Sequence, residues 1–358
     1  MVPYGLIADL HLHPWSSFST VNEYGVNSRL QGLLNEIMRA AQEVKTAGGN
    51  TVIFAGDVFH VRGSVSPTVL NSTRDMLNSI GREIGIRFII MPGNHDLESK
   101  HSTRLSSAVT ALESDHCKVI DRTSMETIAH SRVILVPWCE SIEDLKKMLE
   151  GLTGDKSKTD LILHAPIDGV IKGLPNHGLL PEYLAGLGFA KVLSGHYHCH
   201  KYFPGEVYSI GALAHHTWSD VGSKAGFCLV YPDRVEWRKS HLPEFIDLGQ
   251  LVGLEPDDIP LIVDGNFIRV RVDASKSKDV EAAREELLAM GAKAVIVQAE
   301  PKLPIREGVD RPSVASGASL ETSLCDFVRI LCKDTPDREP LVTKAALNIL
   351  TTVDSLGD

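Results

Sequence analysis

Arg87-Phe88-Ile89-Ile90-Met91-Pro92-Gly93-Asn94-His95-Asp96 runs from a segment with strand character straight into a turn carrying an amide, an imidazole and a carboxylate. The same grammar recurs along the chain. Tyr4 to Ala8 precedes Asp9-Leu10-His11, and Thr51 to Ala55 precedes Gly56-Asp57. Asp160 to Leu163 precedes His164, and Lys191 to Leu193 precedes Gly195-His196-Tyr197-His198. Arg132 to Val136 is a further apolar run. Helical stripes separate several of these runs. Leu30, Leu33, Leu34, Ile37, Met38 and Ala41 give one, and Val69, Thr73, Met76, Leu77 and Ile80 another. Strand alternating with helix predicts a layered α/β fold, a β-sandwich flanked by helices. Glu206 to Ile210, Gly226 to Tyr231 and Arg234 to Lys239 read as a meander closing a second sheet.

At 358 residues the chain is long for one domain. The periodicity loosens between 241 and 265, where prolines stand at 243, 256 and 260. Beyond it, 266–272 reads as a strand, 280–290 as a helix and 294–298 as a strand. The predicted organisation is a first domain over 1–245, a small α/β capping domain over 262–300, and a Pro/Gly/Ser-rich linker over 301–319. C-terminal helices follow over 320–358, with apolar stripes on Leu324, Phe327, Val328 and Leu331 and on Leu341, Ala345 and Ile349. The net charge of −10 is unfavourable for gripping a polyanion unaided, so a DNA substrate would need a basic patch or a partner. The six cysteines are scattered without a Cys-x-x-Cys pair, which argues against a disulfide framework and fits a reducing cytoplasm. There is no apolar run long enough to span a bilayer, and Met1 to Ile7 reads as a first strand, not a signal peptide.

The polar patches form a donor set. Asp9 and His11 are two residues apart in extended chain and share a face. Asp57 has two oxygens and can bridge a pair of ions, Asn94 adds a neutral carbonyl oxygen, and His164, His196 and His198 add imidazoles. Two divalent cations bring four positive charges, while Asp9 and Asp57 return two negative ones. The remaining positive field suits a phosphate, which points to two-metal phosphoester hydrolysis. Mixed nitrogen and oxygen donors suit manganese, iron or zinc better than magnesium or calcium. His95 is not needed as a ligand. It is expected to face the substrate and either protonate the leaving alkoxide or stabilise the phosphorane charge, with Asp96 taking its other ring nitrogen.

Taken in order, these patches resemble the signature of the calcineurin-like metallophosphoesterase superfamily over roughly residues 4 to 240. The resemblance implies one metal on Asp9, His11, Asp57 and His198, another on Asp57, Asn94, His164 and His196, and His95 as the leaving-group histidine. More narrowly, Gly56-Asp57-Val58-Phe59-His60 is similar to the Gly-Asp-Leu-Phe-His segment of SbcD-type DNA exonucleases, the nuclease subunits of double-strand-break repair. That likeness implies that His60 positions a DNA phosphate. It also implies two manganese ions, 3′–5′ exonuclease action with single-strand cleavage, and a capping domain. A helical segment would dock on an SbcC-type coiled-coil ATPase. The chain departs from the SbcD-type pattern at His11-Leu12-His13-Pro14-Trp15, where Asp-x-His-Leu-Gly is usual, and at Ser209-Ile210-Gly211-Ala212-Leu213, where a Gly-Ser-Pro loop is usual.

Other readings stand beside this one. The same core can serve a small-substrate phosphatase or cyclic-nucleotide phosphodiesterase, which the acidic charge favours, or a non-enzymatic scaffold, which the full donor set disfavours. Helices at about 66–82 and 103–114 either bury their stripes on their own sheet or, as the resemblance implies, form a homodimer contact. His13, His215 and His216 read as loop residues, and His200 as facing solvent.

Overall fold

Strands buried on both faces read as unbroken apolar runs, and the first sheet is built from three of them. β1 (Tyr4–Ile7), β2 (Thr51–Ala55) and β3 (Arg87–Met91) lie side by side and parallel. Tyr4, Leu6, Ile53, Ala55, Ile89 and Met91 belong to a core between two sheets. Their neighbours Ile7, Val52, Phe54, Phe88 and Ile90 belong to a second core, under α1 (Ser28–Thr46) and α2 (Pro67–Ile84). The computed structural model describes residues 2–99, 104, 106–128, 131–251, 255–273, 277–300, 320–333 and 336–356.

β4 (Cys117–Val119), β11 (Gly226–Val230) and β12 (Val235–Lys239) complete the first sheet in the order β12-β11-β1-β2-β3-β4. The second sheet contains β5 (Ser124–Ile128), β6 (Ser131–Val136), β7 (Thr159–His164), β8 (Lys191–Gly195), β9 (Lys201–Phe203) and β10 (Val207–Ser209), in the order β5-β6-β7-β8-β10-β9. Val133, Leu135, Ile162 and Leu193 meet the first sheet across the shared core. Ile134, Val136, Leu161 and Leu163 pack outward with α3 (Ile142–Gly151) and α4 (Pro181–Gly186). At the N-terminal edge of the strands, the Tyr4 hydroxyl donates to Asp160 at 3.0 Å and the Lys191 ammonium donates to the same carboxylate at 3.2 Å.

Three expectations are corrected. The meander does not form. Val207–Ser209 pairs parallel with β8 in the second sheet, whereas β11 and β12 join the first because β11 pairs antiparallel with β1. The helix expected at 103–114 is a 3₁₀ turn over Ala108–Leu112, held by the bond from Ala108 N–H to the Asp96 carbonyl and by the bridge between Ser114 and Cys117. Residues 100–103 and 105 lie outside the described residues. The capping sheet starts earlier than expected. β13 (Phe245–Asp247), β14 (Phe267–Asp273) and β15 (Ala294–Glu300) are all parallel. The short α5 (Ile259–Val263) lies between the first two in the chain, and α6 (Ser277–Ala289) connects the last two. Phe245 to Asp247 is recruited by pairing with β14, and buried Asp247 takes the Arg269 guanidinium at 2.7 Å.

On α2 the stripe of Val69, Thr73, Leu77 and Ile80 is buried against its own sheet. The chain divides into two compact units, Met1–Glu300 and Pro301–Asp358. In the second unit the linker expected at 301–319 lies outside the described residues. α7 (Leu320–Leu331) and α8 (Glu339–Leu356) pack on each other there, and Val328 and Cys332 are buried. Phe327, Leu331 and Leu341 are more than half exposed. Among the described residues no helix is long and apolar enough to cross a membrane.

Candidate metal centre

Every predicted ligand lies at, or just beyond, the C-terminal end of a strand, the usual site of ligand chemistry in open α/β sheets. Asp9 and His11 follow β1, Asp57 follows β2, Asn94 follows β3, His164 ends β7, and His196 and His198 follow β8. Four of them turn their backbone into the left-handed region: Asp9 (φ 50°), His11 (φ 43°), Asp57 (φ 52°) and His196 (φ 103°). Such positions are strained for residues with a Cβ and are held only by their surroundings. Here Asp9 N–H donates to the Gly56 carbonyl at 3.2 Å, and His11 N–H to the Asp57 carbonyl at 2.9 Å. Two glycines are obligatory. A Cβ on Gly93 would fall 2.2 Å from Asp57 Oδ1, and one on Gly56 would fall 2.2 Å from the His164 ring.

The outer hydrogen bonds settle which nitrogen of His164 and of His198 faces the cluster. His164 donates from Nδ1 to the Ala55 carbonyl at 2.8 Å, so its Nε2 faces Asn94 Oδ1 at 3.2 Å and Asp57 Oδ2 at 3.4 Å. His198 donates from Nδ1 to Asp220 at 2.7 Å, and its Nε2 stands 3.1 Å from His11 Nε2. His196 Nδ1 lies 3.0 Å from Asn94 Oδ1. The Asp57 Oδ2 atom is also 3.7 Å from His11 Nε2, between the two imidazole groups, while Oδ1 accepts the His95 N–H at 2.8 Å. Among the described residues three clusters result, Asp9 with His11 and His198, Asp57 with His164 and His196, and His11 with His60 and His95, each with donor atoms within 4.8 Å of one another. Imidazole nitrogens converging with carboxylate and amide oxygens fit cations, and the outer hydrogen bonds of His164 and His198 are the usual support of metal-bound histidine.

The electrostatics agree. Burial opposes ionisation of Asp57, yet the His164, His11 and His95 rings hold its carboxyl well below the usual range. Burial likewise opposes a charged His164, but Asp57 and then Asp9 lift it to about 9. Burial raises Asp9 and pushes His196 down to about 3. Asp57 is thus held as an anion and His196 as a neutral ring, while His164 keeps a proton beside Asp57 that a bound cation would displace.

His95 flanks the cluster, its ring centroid 4.8 Å from that of His11. The expected Asp96 partner is corrected. His95 Nδ1 lies 2.7 Å from the His60 carbonyl, not against Asp96. Asp96 is buried and turned into the loops, where its carboxylate accepts the N–H groups of Gly93 (2.9 Å), Phe59 (2.8 Å) and Val58 (3.2 Å). Those donors would otherwise be buried without acceptors, so Asp96 clamps the β2 and β3 loops together. Burial and then the charge of Asp57 push it up to about 7. His60 is half-buried, with its Nδ1 3.4 Å from His11 Nδ1 and its ring stacked over His95 at 5.7 Å. Burial, with the His13 and His95 rings nearby, lowers it to about 4.

The family model for calcineurin-like phosphoesterases matches residues 2–200, more than half of the chain and all of the predicted ligands. The chain belongs to the calcineurin-like phosphoesterase family. It is a metal-dependent phosphoester hydrolase by family, and its His/Asp clusters are the candidate metal site. Among solved structures, a dimetal phosphatase from Danio rerio is similar at 12% identity and a TM-score of 0.40, covering 66% of this chain and 96% of that one. The protein TT1561 of Thermus thermophilus is similar at 11% identity and a TM-score of 0.38, covering 66% and 98%. No curated protein is significantly similar in sequence.

The phosphoesterase centre also has members that sequence reasoning missed. Asp220 orients His198 and sits in a capping box begun by Thr217, with no fixed spacing to betray it. His216, read as a loop residue, is buried and donates from Nε2 to the Asp9 carbonyl at 2.9 Å. The one available signal was the His215-His216 pair so soon after the last motif. His215 is buried too, and its Nδ1 accepts the Phe245 N–H at 3.0 Å, tying the capping sheet to the site loop. Two indoles flank the histidines: Trp138 stacks on His196 at 5.2 Å and Trp15 on His216 at 5.6 Å. His200, expected in solvent, is partly buried and stacks on Trp237 at 5.5 Å.

Proposed function

We propose that this phosphoesterase is a DNA nuclease that removes nucleotides from 3′ ends and cuts single strands, uses two manganese ions, and works as the nuclease subunit beside a coiled-coil ATPase. The observation that carries the reading is His60. The Gly56-to-His60 run sets a third imidazole beside His11 and His95, with ring centroids 5.3 Å and 5.7 Å away. A ring there can hold a second phosphate oxygen of a diester, for which a monoester phosphatase has less use.

Two divalent ions would polarise the phosphodiester and supply a nucleophile at neutral pH. The chain's own residues do the rest. His95 gives its Nδ1 proton to the His60 carbonyl, which leaves Nε2 to carry a proton to the leaving alkoxide. The exposed apolar residues Phe327, Leu331 and Leu341 support docking on a helical partner, because such a stripe is normally covered.

The test is 5′-labelled duplex DNA with purified protein and manganese. Wild type shortens the label stepwise, and His95→Ala loses about 10²–10⁴-fold, the usual contribution of a proton-transfer group. Intact DNA with wild type, or equal cleavage by His95→Ala, refutes the reading. The net charge of −10 favours a second reading, a phosphodiesterase for small substrates. Hydrolysis of bis-p-nitrophenyl phosphate that DNA fails to compete away would select it.

A further inference from the structure

A separate cavity lies between the sandwich and the capping sheet. Its volume is about 500 Å³, inside the range of about 300–1,000 Å³ typical of small-molecule sites. None of the predicted metal ligands lines it. One wall is apolar, formed by Phe18, Leu33, Leu242 and Phe267, with the Phe18 and Phe267 rings stacked at 5.1 Å. The other side carries Arg29, Lys293 and the Ser28 and Thr20 hydroxyls.

Two features of this lining point to a ligand. First, no acidic residue takes part, although acids outnumber bases 46 to 36 in the chain. Lys293 is exposed and has no ion-pair partner among the described residues. Second, the polar groups have capacity to spare. Ser28 Oγ accepts the Thr20 N–H at 3.0 Å, which leaves its own proton free to donate. Arg29 gives bonds to the Ser17, His215 and His216 carbonyls and retains further N–H donors.

We propose that this cavity binds a phosphorylated aromatic compound of nucleoside monophosphate size. The aromatic ring lies against Phe18 and Phe267, and the phosphate meets Lys293, Arg29 and the Ser28 hydroxyl. The inference does not depend on the nuclease reading, because it concerns a cavity outside the metal ligands and is tested without metal.

The experiment is calorimetric titration of the full chain in EDTA with dAMP, adenosine, inorganic phosphate and a dinucleotide. Wild type binds dAMP saturably at one site, and adenosine or phosphate alone binds about tenfold more weakly or worse. Tighter binding of the dinucleotide than of dAMP would assign the site to a nucleotide unit within a strand; the reverse order assigns it to the free nucleotide. Lys293→Glu reverses the charge at the mouth and weakens dAMP binding by about tenfold. Gly32→Leu fills the cavity from α1, where an added Cβ would meet only the flexible end of Leu242, at 3.1 Å, and removes binding. Leucine is also the better helix former, so the helix persists. Absence of saturable binding in wild type, unchanged affinity in Lys293→Glu, or phosphate binding as tightly as dAMP overturns the proposal.

Discussion

Asp160 and Asp57 are buried between the same two sheets, one at the N-terminal edge of the strands and the other at the C-terminal edge. Around Asp160 the chain supplies its own countercharge: the Lys191 ammonium at 3.2 Å, itself bonded to the Pro232 carbonyl, with the Tyr4 hydroxyl completing the set. Around Asp57 it supplies imidazole nitrogens, an amide oxygen and a second carboxylate. The difference separates structural from functional burial. The first cluster is complete as it stands, and the second is complete only with cations.

That comparison breaks most visibly by replacing the two acids in turn. Asp57→Asn should reduce manganese-dependent hydrolysis of bis-p-nitrophenyl phosphate by roughly 10³-fold, on the scale of losing a principal electrostatic group. Asp160→Ala should leave turnover within about twofold of wild type, since its cluster lies at the other strand edge. A large loss of turnover in Asp160→Ala with the fold intact would erase the distinction. The same variant should be unstable instead. Leaving Lys191 buried without its partner costs about 3–5 kcal/mol, measurable as a lower urea midpoint at constant slope.

Metal should act on one cluster only. At a hundred times its dissociation constant, manganese should stabilise wild type by about 2.7 kcal/mol through mass action. Asp57→Asn should show little of this gain, and Asp160→Ala all of it, in melts with and without EDTA. The smallest effect belongs to Tyr4. Burial, then the Asp160 charge, raises its phenol well above 10, so its contribution is present below pH 10 and lost as pH rises past its raised value. Tyr4→Phe should cost about 1 kcal/mol at neutral pH, the scale of one hydrogen bond. It should also flatten the loss of stability above pH 10, seen in urea titrations at pH 8 and 11.

The legibility of the sequence follows the same divide between local and distant. β1, β2, β3, β6, β7 and β8 are readable because burial on both faces leaves a continuous apolar run. The ligand set is readable because each donor follows such a run directly. β9 and β4, of three residues each, carry too little pattern, and β5 is an edge strand with alternating exposure. Where β11 and β12 go depends on Tyr4 meeting Val230 from the far end of the sandwich sequence, and no local signal encodes that register. Asp96 misleads because adjacency in sequence suggests a partner that the backbone turns away. His216 is hidden because its role is a bond to a main-chain oxygen, which any residue can offer.

The left-handed backbone at Asp9, His11, Asp57 and His196 has a consequence for engineering. Transplanting the donor side chains onto ordinary loops of another scaffold would leave them aimed elsewhere, because the aim is written in main-chain torsion angles. A working graft would have to carry the loops whole, together with Gly56, Gly93 and the Asp96 clamp that keeps them bent.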